Sequence, residues 1–288
     1  MTAASPKVSI ICTCFNHEQF VIECLESVLS QTYQHYELIV VDDGSTDGSV
    51  AVIEKFQQQH PNFAFLRLEK NGGICHAFNT AFKISTGDFI IDLAADDVLL
   101  PDRLEIGVKE FEALDDSVGV IFGDAEWIDA HGKRLFLHSE KYPHTSIPSG
   151  DIYKDLIERY FICSPTMMFR RSVVNALGGY NEALTYEDFD FWIRSSRIFK
   201  YHYQARLLVK KRKLKNSLSH NQFKILNTHG MTTYHVCTKI LELNRNRREQ
   251  EALRKRIQYE IRQSFRNLDL SLAYRYFSLW TANNSRSY

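Results

Sequence analysis

The chain has no stretch of eighteen uninterrupted apolar residues, which argues against a membrane-spanning helix. Its six cysteines, Cys12, Cys14, Cys24, Cys75, Cys163 and Cys237, form no CxxC pair and no Cys/His zinc spacing. Cys12 and Cys14 lie two apart in an expected strand and share one face, as small apolar fillers in a reducing compartment would. Met1 to Lys7 leads into a strand without a basic region and a cleavable apolar segment, so no signal peptide is expected there. The expected localisation is cytoplasmic. No glycine occurs in Thr13-Cys14-Phe15-Asn16-His17-Glu18, directly after the first apolar run. That absence excludes the GxGxxG turn of a nicotinamide-dependent dehydrogenase and the glycine-rich phosphate loop of a sugar nucleotidyltransferase. Internal repeats and low-complexity segments are also missing.

What is present suits a soluble α/β protein. A chain of 288 residues with 44% hydrophobic and 24% charged residues can form one large domain, or a domain with an appendage. The zero net charge hides an asymmetry: residues 1–204 carry 17 Lys+Arg against 30 Asp+Glu, and residues 205–288 carry 18 against 5. A division into a domain of residues 1–204 and a basic, mainly helical extension of residues 205–288 follows. The extension either meets an anionic surface, such as the cytoplasmic face of a membrane, or docks on the acidic domain and neutralises it. Nothing in residues 1–204 favours a polyanion, and no nucleic acid is expected as a partner.

Apolar strands alternate with amphipathic helices through the first hundred residues, the pattern of a mainly parallel sheet with helices on its faces. Strands are expected at Val8–Phe15, Glu37–Val41, Phe63–Leu68 and Asp88–Leu93, with helices at Glu18–Leu29, Ser49–Gln58 and Ile74–Ile84. Pro101-Asp102-Arg103 opens another helix, with proline in the first turn where its missing N–H costs nothing. Further on, Val118–Trp127 and Arg134–His138 read as a hairpin around His131-Gly132-Lys133. Glu187–Phe199 reads as a helix, and so does the tail from Asn221. The cationic run Lys210-Lys211-Arg212-Lys213 marks the expected boundary region.

Three acidic clusters carry the chemistry. Asp42-Asp43-Gly44-Ser45-Thr46-Asp47 follows one strand, Asp96-Asp97 follows another, and Glu187-Asp188-Phe189-Asp190 opens a helix. In open α/β sheets ligands sit beyond the carboxyl ends of strands, where Thr13 to Asn16, Asp42-Asp43 and Asp96-Asp97 all fall. Paired carboxylates there suit a divalent cation that carries phosphates. Asp43 can accept a hydrogen bond from a base N–H, and Phe15 can lie against a ring. Turn and cap chemistry accounts for Gly44 and Asp47. It does not account for two adjacent carboxylates, which repel and favour a cation or a donor. A separate carboxylate is what a proton acceptor for a hydroxyl nucleophile requires.

Val8 to His17, Glu26-Ser27-Val28-Leu29-Ser30-Gln31-Thr32-Tyr33 and Glu37 to Asp47 together resemble the opening of a family 2 glycosyltransferase with the GT-A fold. The likeness continues in order through Asn71-Gly72-Gly73, Gly87-Asp88-Phe89-Ile90, Asp96-Asp97, Pro101-Asp102-Arg103, Phe169-Arg170-Arg171-Ser172, Gly178 to Glu182 and Glu187 to Arg194. It covers roughly residues 7–200. Each motif alone is weak, and the ordered set is specific.

The resemblance implies a Rossmann-like α/β domain and an inverting hexosyl- or N-acetylhexosaminyl-transferase. Such an enzyme uses a nucleotide-diphospho-sugar, most often a UDP-sugar, with Mn²⁺ or Mg²⁺. Its acceptor would be a glycan or lipid-linked hydroxyl in surface polysaccharide assembly. Carried over by position, the nucleotide site would draw on Thr13, Phe15, Asn16, Asp42, Asp43, Gly73 and Asp96. Asp96 and Asp97 would hold the metal, Asp188 would be the general base, and Glu187 and Trp192 would face the acceptor. Three departures stand out. Ala94-Ala95-Asp96 lacks the first carboxylate of the usual Asp-x-Asp. Ala77-Phe78-Asn79 replaces an Ala-Arg-Asn. Lys211 to Ser217 has leucine at the histidine of a Tyr-Arg-x-His-x-x-Ser segment, which turns attention to Arg212 or a neighbouring lysine for the diphosphate. Ala94 and Phe78 also suit another class of protein, a non-catalytic scaffold that binds a glycan or a partner.

Overall fold

The computed structural model describes residues 5–214 and 228–285. These group into two compact units. The first holds the described residues up to Gly150 together with Ile162–Glu182 and Phe199–Lys213. The second holds Asp151–Phe161, Ala183–Ile198 and the described residues from Leu214 onward.

The first unit is built on a nine-stranded sheet. Its opening half alternates as the apolar spacing predicts: β1 (Val8–Cys14), α1 (Val21–Leu29), β2 (Tyr36–Asp42), α2 (Ser49–Gln59), β3 (Ala64–Arg67), α3 (Ile74–Ile84) and β4 (Phe89–Ala94). β1 pairs in parallel with β2 and β4, and β2 with β3. Every residue of β1 is buried, because a central parallel strand is covered on both faces and reads as an unbroken apolar run. Then come β5 (Val98–Leu99), α4 (Arg103–Ala113), β6 (Val118–Ile128), β7 (Arg134–Leu137) and α5 (His138–Lys141). With β8 (Met168–Arg170) and β9 (Lys200–Arg212), the order across the sheet is β3-β2-β1-β4-β8-β6-β9-β5, with β7 paired to β6.

The later strands make the sheet mixed. β8 (Met168–Arg170) runs antiparallel to both β4 and β6. β9 (Lys200–Arg212) pairs in parallel with β6 and antiparallel with β5. No strand was expected at residues 200–212, and the physical reason is local. Register shifts between β6 and β9 break the alternation, and lysines and arginines crowd its end. A Cβ on Gly123 would stand 2.9 Å from the backbone carbonyl oxygen of Arg206 and 2.6 Å from the Leu208 side chain, so β9 leaves little room for a larger residue there.

Buried polar groups fix the loops above α1. Gln31 donates to the Leu100 carbonyl at 2.8 Å and accepts from the Leu104 N–H at 3.0 Å. Ser27 accepts from the Leu99 N–H at 3.1 Å. The Glu26-to-Tyr33 motif therefore works through structure, holding the segment that follows β4. Phe78, which stands where the family pattern has arginine, is buried and stacks on Tyr180 at 4.2 Å. It belongs to an aromatic cluster in the core.

The first unit also contains α7 (Arg171–Leu177), whereas α6 (Tyr153–Glu158) and α8 (Asp188–Ser196) belong to the second. Three further helices complete the second unit: α9 (Thr228–Leu243), α10 (Arg247–Arg266) and α11 (Leu270–Asn284). The tail is helical as expected from residue 228, while 221–227 lie outside the described residues. α9 packs on α8, α10 and α11. Several tail cations pair inside the unit. Lys239 meets Asp190, and Arg197 meets Glu249 at 2.8 Å. Buried Arg256 meets Glu260 at 2.8 Å and sits 4.0 Å from the Tyr160 ring and 4.8 Å from the Phe189 ring. Asn246 caps α10 and Asp269 caps α11, each accepting the backbone N–H three residues on. Among the described residues, no helix is long and apolar enough to cross a membrane.

Candidate active site

In the first unit the carboxyl ends of β2, β1 and β4 lie side by side, because these neighbouring strands are parallel. Register places Cys14 beside Asp42 and Thr13 beside Ala94. Thr13 to Asn16, Asp42 to Asp47 and the start of the Asp96-Asp97 turn are thereby brought together. Phe15 is 41% exposed, leaving its ring open for contact.

The two aspartates after β2 have different surroundings. Asp42 is fully buried and accepts from the Ser45 N–H and the Ser45 hydroxyl at 2.8 and 2.6 Å. Its carboxylate is used inside the turn, so direct contact with a nucleotide is not what its position offers. Asp43 accepts from the backbone N–H groups of Gly72 and Gly73, each at 2.8 Å. Each carboxylate oxygen keeps further acceptor capacity. Asp43 thus anchors the 69–73 loop and still presents an acceptor. Gly73 has φ +89° and opens α3.

Asn16, with φ +59°, ties the first loop to the second. Its side-chain oxygen accepts from the Thr46 N–H at 2.8 Å, and its own N–H donates to the Ser45 hydroxyl at 2.8 Å. Asparagine tolerates this left-handed conformation better than most residues. Its side chain organises the loops around Phe15.

Asp96 and Asp97 are both buried. Asp97 accepts from the Arg212 backbone N–H at 2.8 Å. Burial first, and the charge of Asp96 second, hold the Asp97 carboxyl above the usual carboxylate range; the charges of Lys211 and Arg212 act the other way. The Asp96 carboxylate accepts no hydrogen bond and forms no ion pair with the described residues. Two adjacent carboxylates, one of them open, fit a divalent cation shared with substrate phosphates, since Mg²⁺-type sites need only one or two protein carboxylates. No group of three or more His, Cys, Asp or Glu placed to hold a metal exists among the described residues.

Arg212 is the residue whose position the sequence hid. It is buried, and its side chain donates to the carbonyls of Asp96 at 2.9 Å and Asp129 at 3.1 Å and pairs with Glu23. The guanidinium also lies 4.8 Å from the Phe20 ring. These partners commit Arg212 to holding the Asp96-Asp97 turn, so the expected diphosphate contact from it is replaced by a positioning role. Adjacent residues of a strand face opposite ways, and Lys211 instead lies 5.0 Å from the Trp127 ring. Residues 215–217 of the segment compared with Tyr-Arg-x-His-x-x-Ser lie outside the described residues.

Within the second unit Asp188 is the first residue of α8, where the helix dipole favours a carboxylate. Glu187 precedes it as the cap position. Asp190 is buried between Lys239 and Arg194, the latter at 2.6 Å. Trp192 is 4% exposed and packs edge to face on Tyr160 at 5.9 Å. Helix packing accounts for that ring and leaves little of it for a sugar to stack on.

The Glycosyl transferase family 2 model matches residues 9–178, and the chain belongs to that family. Its fold is thus that of a family 2 glycosyltransferase. Among curated relatives, chondroitin synthase from Escherichia coli is 30% identical over 194 residues, covering 67% of this chain and 27% of that protein. A putative glycosyltransferase, EpsE, from Bacillus subtilis is 26% identical over 248 residues, covering 82% of this chain and 84% of that protein. The chain spans about a quarter to a third of the length of the first curated relatives it matches. Two solved structures show the same GT-A-type fold. S. aureus TarS 1-349 in complex with UDP-GlcNAc has a TM-score of 0.70 at 18% identity, covering 96% of this chain and 79% of that fragment. The mannosyltransferase PcManGT from Pyrobaculum calidifontis, in complex with GDP-Man and Mn²⁺, has a TM-score of 0.65 at 15% identity, covering 99% and 77%.

Proposed function

We propose that this protein is an inverting glycosyltransferase. It moves a hexosyl or N-acetylhexosaminyl group from a nucleotide-diphospho-sugar, a UDP-sugar first among the candidates, to a hydroxyl of a glycan or lipid-linked acceptor in surface polysaccharide assembly. The observation that carries this reading is an anchored acceptor, Asp43, and an open carboxylate, Asp96, at the carboxyl ends of β2 and β4, the two parallel strands that flank β1. Family membership and the nucleotide-sugar complexes of TarS and PcManGT support it.

In this reading Asp43 receives the base N–H, Phe15 covers the ring, and Thr13 lies beside the ribose. Asn16, Asp42 and Gly73 shape the loops that hold them. Asp96 and Asp97 hold a divalent cation, Mn²⁺ or Mg²⁺, which when bound neutralises charge on the nucleoside diphosphate leaving group. The role given to Asp188 is supported by its motif and by its place at a helix start. Its carboxylate takes the proton from the acceptor hydroxyl as that oxygen bonds to the anomeric carbon. The bond to the diphosphate oxygen breaks on the opposite side, and one displacement inverts the centre. Glu187 orients the acceptor.

Calorimetric titration of UDP, then of UDP-, GDP- and dTDP-sugars, with Mn²⁺ and with EDTA, tests this. Metal-dependent binding of one donor, lost in Asp96→Ala, is expected. Folded protein that binds none of these nucleotides would overturn the transferase reading and return the scaffold.

A further inference from the structure

The hairpin of α10 and α11 carries an apolar tip that packing within the second unit does not explain. Gln250 near the start of α10 and Asn283 near the end of α11 bond to each other, with Asn283 donating to the Gln250 carbonyl at 3.2 Å. The two helices therefore run antiparallel, and the turn at 267–269 is the apex. Leu268 sits in that turn at φ +58° and is 75% exposed. The turn is closed by the Leu268 N–H donating to Phe265 O at 3.1 Å and the Asp269 N–H donating to Ser264 O at 2.9 Å. A residue in the left-handed region after a helix is ordinarily glycine, or asparagine, because a Cβ is strained there. A leucine at this position bears the strain and gains no burial in return.

Its neighbours extend the same surface. Leu270, Tyr274 and Phe277 stand at i, i+4 and i+7 of α11, on one side of that helix, and all three are exposed, Tyr274 at 72%. Phe265 at the end of α10 is exposed as well. The opposite side of α11, with Leu272, Ala273, Tyr276 and Leu279, is buried, so α11 already has its packing face and shows a second apolar face to solvent. Arg262, Arg266 and Arg275 surround this face, are exposed, and have no ion-pair partner among the described residues.

We infer that this apex inserts into an anionic lipid surface, with Leu268, Leu270 and Phe277 entering the acyl boundary and the three arginines meeting headgroup phosphates. Leucine and phenylalanine on one face with arginine beside them is the composition of an interfacial helix. A second copy of the chain fits less well, because self-pairing of this face would bring its arginines against one another. The inference deepens the proposed function and rests on it for its purpose: an enzyme whose acceptor is lipid-linked gains by working at the membrane surface.

Flotation of the full chain with vesicles of equal parts phosphatidylcholine and phosphatidylglycerol, at low and high salt, tests it. Wild-type protein floats at low salt, and Leu268→Ser/Leu270→Ser/Phe277→Ser lowers the bound-to-free ratio at least about tenfold. Arg262→Gln/Arg266→Gln/Arg275→Gln removes the preference over pure phosphatidylcholine. Leu268→Gly raises the Tm, by relieving φ, while weakening vesicle binding. All variants are exposed and are checked for unchanged nucleotide titration, so failure of the transferase reading and failure of this one are told apart. Wild-type protein that stays unbound at low salt overturns the inference. So does a concentration-dependent dimer, abolished by the serine variant, in protein that ignores vesicles.

Discussion

Arg212 holds Asp97 from the main chain, its N–H donating to the carboxylate at 2.8 Å, while its side chain grips the Asp96 carbonyl at 2.9 Å. One residue at the end of β9 thus fixes both members of the carboxylate pair. Arg212→Lys keeps the charge and the backbone bond but loses the planar fork that reaches several acceptors at once. Leaving those buried carbonyls unsatisfied costs about 2 to 4 kcal/mol. The expected outcome is a lower denaturation midpoint together with weaker metal-dependent donor binding, read by calorimetry. A purely diphosphate-binding role predicts weaker donor binding with the midpoint unchanged, and that result would remove the positioning role.

Asp188→Asn removes a proton acceptor and leaves shape and donor site intact. With the donor identified by titration, release of nucleoside diphosphate in the presence of acceptor should fall at least about a hundredfold. Donor affinity should stay within about twofold, since no phosphate ligand is lost. Turnover within tenfold of wild type would take the base assignment away from Asp188.

Much of this arrangement is legible from residue order, and the limits have physical causes. Strands β1, β2 and β4 announce themselves because burial on both faces demands unbroken apolar runs, and the aspartates that follow them fall at the sheet edge where ligands bind. β9 is hidden because its register shifts against β6 break the period of two, and its lysines and arginines look like a solvated linker. The roles of Asp42 and Arg212 are hidden for another reason. A charged side chain declares chemistry in sequence, but whether it meets a ligand or a backbone N–H or carbonyl depends on partners distant in the chain. Arg212 and Glu23 are 189 residues apart. Phe78 shows the converse: the departure from the family pattern was visible, and its meaning came only with the aromatic cluster around Tyr180.

Gly44 and Gly73 separate two demands on glycine near Asp43. Gly44 has φ +70°, and a Cβ there would lie 2.6 Å from the Asn71 nitrogen. Gly73 has φ +89° and open space around a Cβ. Gly73→Ala should therefore cost about 2 to 3 kcal/mol, the strain of φ +89° with ψ 158°, a conformation essentially reserved for glycine. Gly44→Ala adds a collision with backbone and should exceed 3 kcal/mol, on the order of the larger single-site losses. Because the displaced loop is the one Asp43 anchors, donor affinity should fall with Gly44→Ala as well. Urea denaturation of the two variants measures the difference, and equal losses would mean that the 69–73 loop yields freely.

Glu37 makes the structure sensitive to acid at the amino ends of the strands, the opposite ends from Asp43. Burial alone pushes its carboxyl up. Hydrogen bonds from Lys7 at 2.7 Å, Ser9 at 2.6 Å and Thr86 outweigh that effect and hold it down to about 2. In the unfolded chain a glutamate titrates near 4.3, to within about a unit. The folded state therefore binds the proton less readily than the unfolded one. The stabilisation is fully present above the unfolded value and is lost as pH falls from about 4.3 towards about 2. Screening at this partly exposed group limits the effect to about 1 to 2 kcal/mol. Glu37→Gln should lower stability at pH 7 and reduce the slope of unfolding free energy against pH in that window. An unchanged slope would mean that other carboxylates govern the acid limit and that the Lys7–Glu37 pairing, though well formed, contributes little.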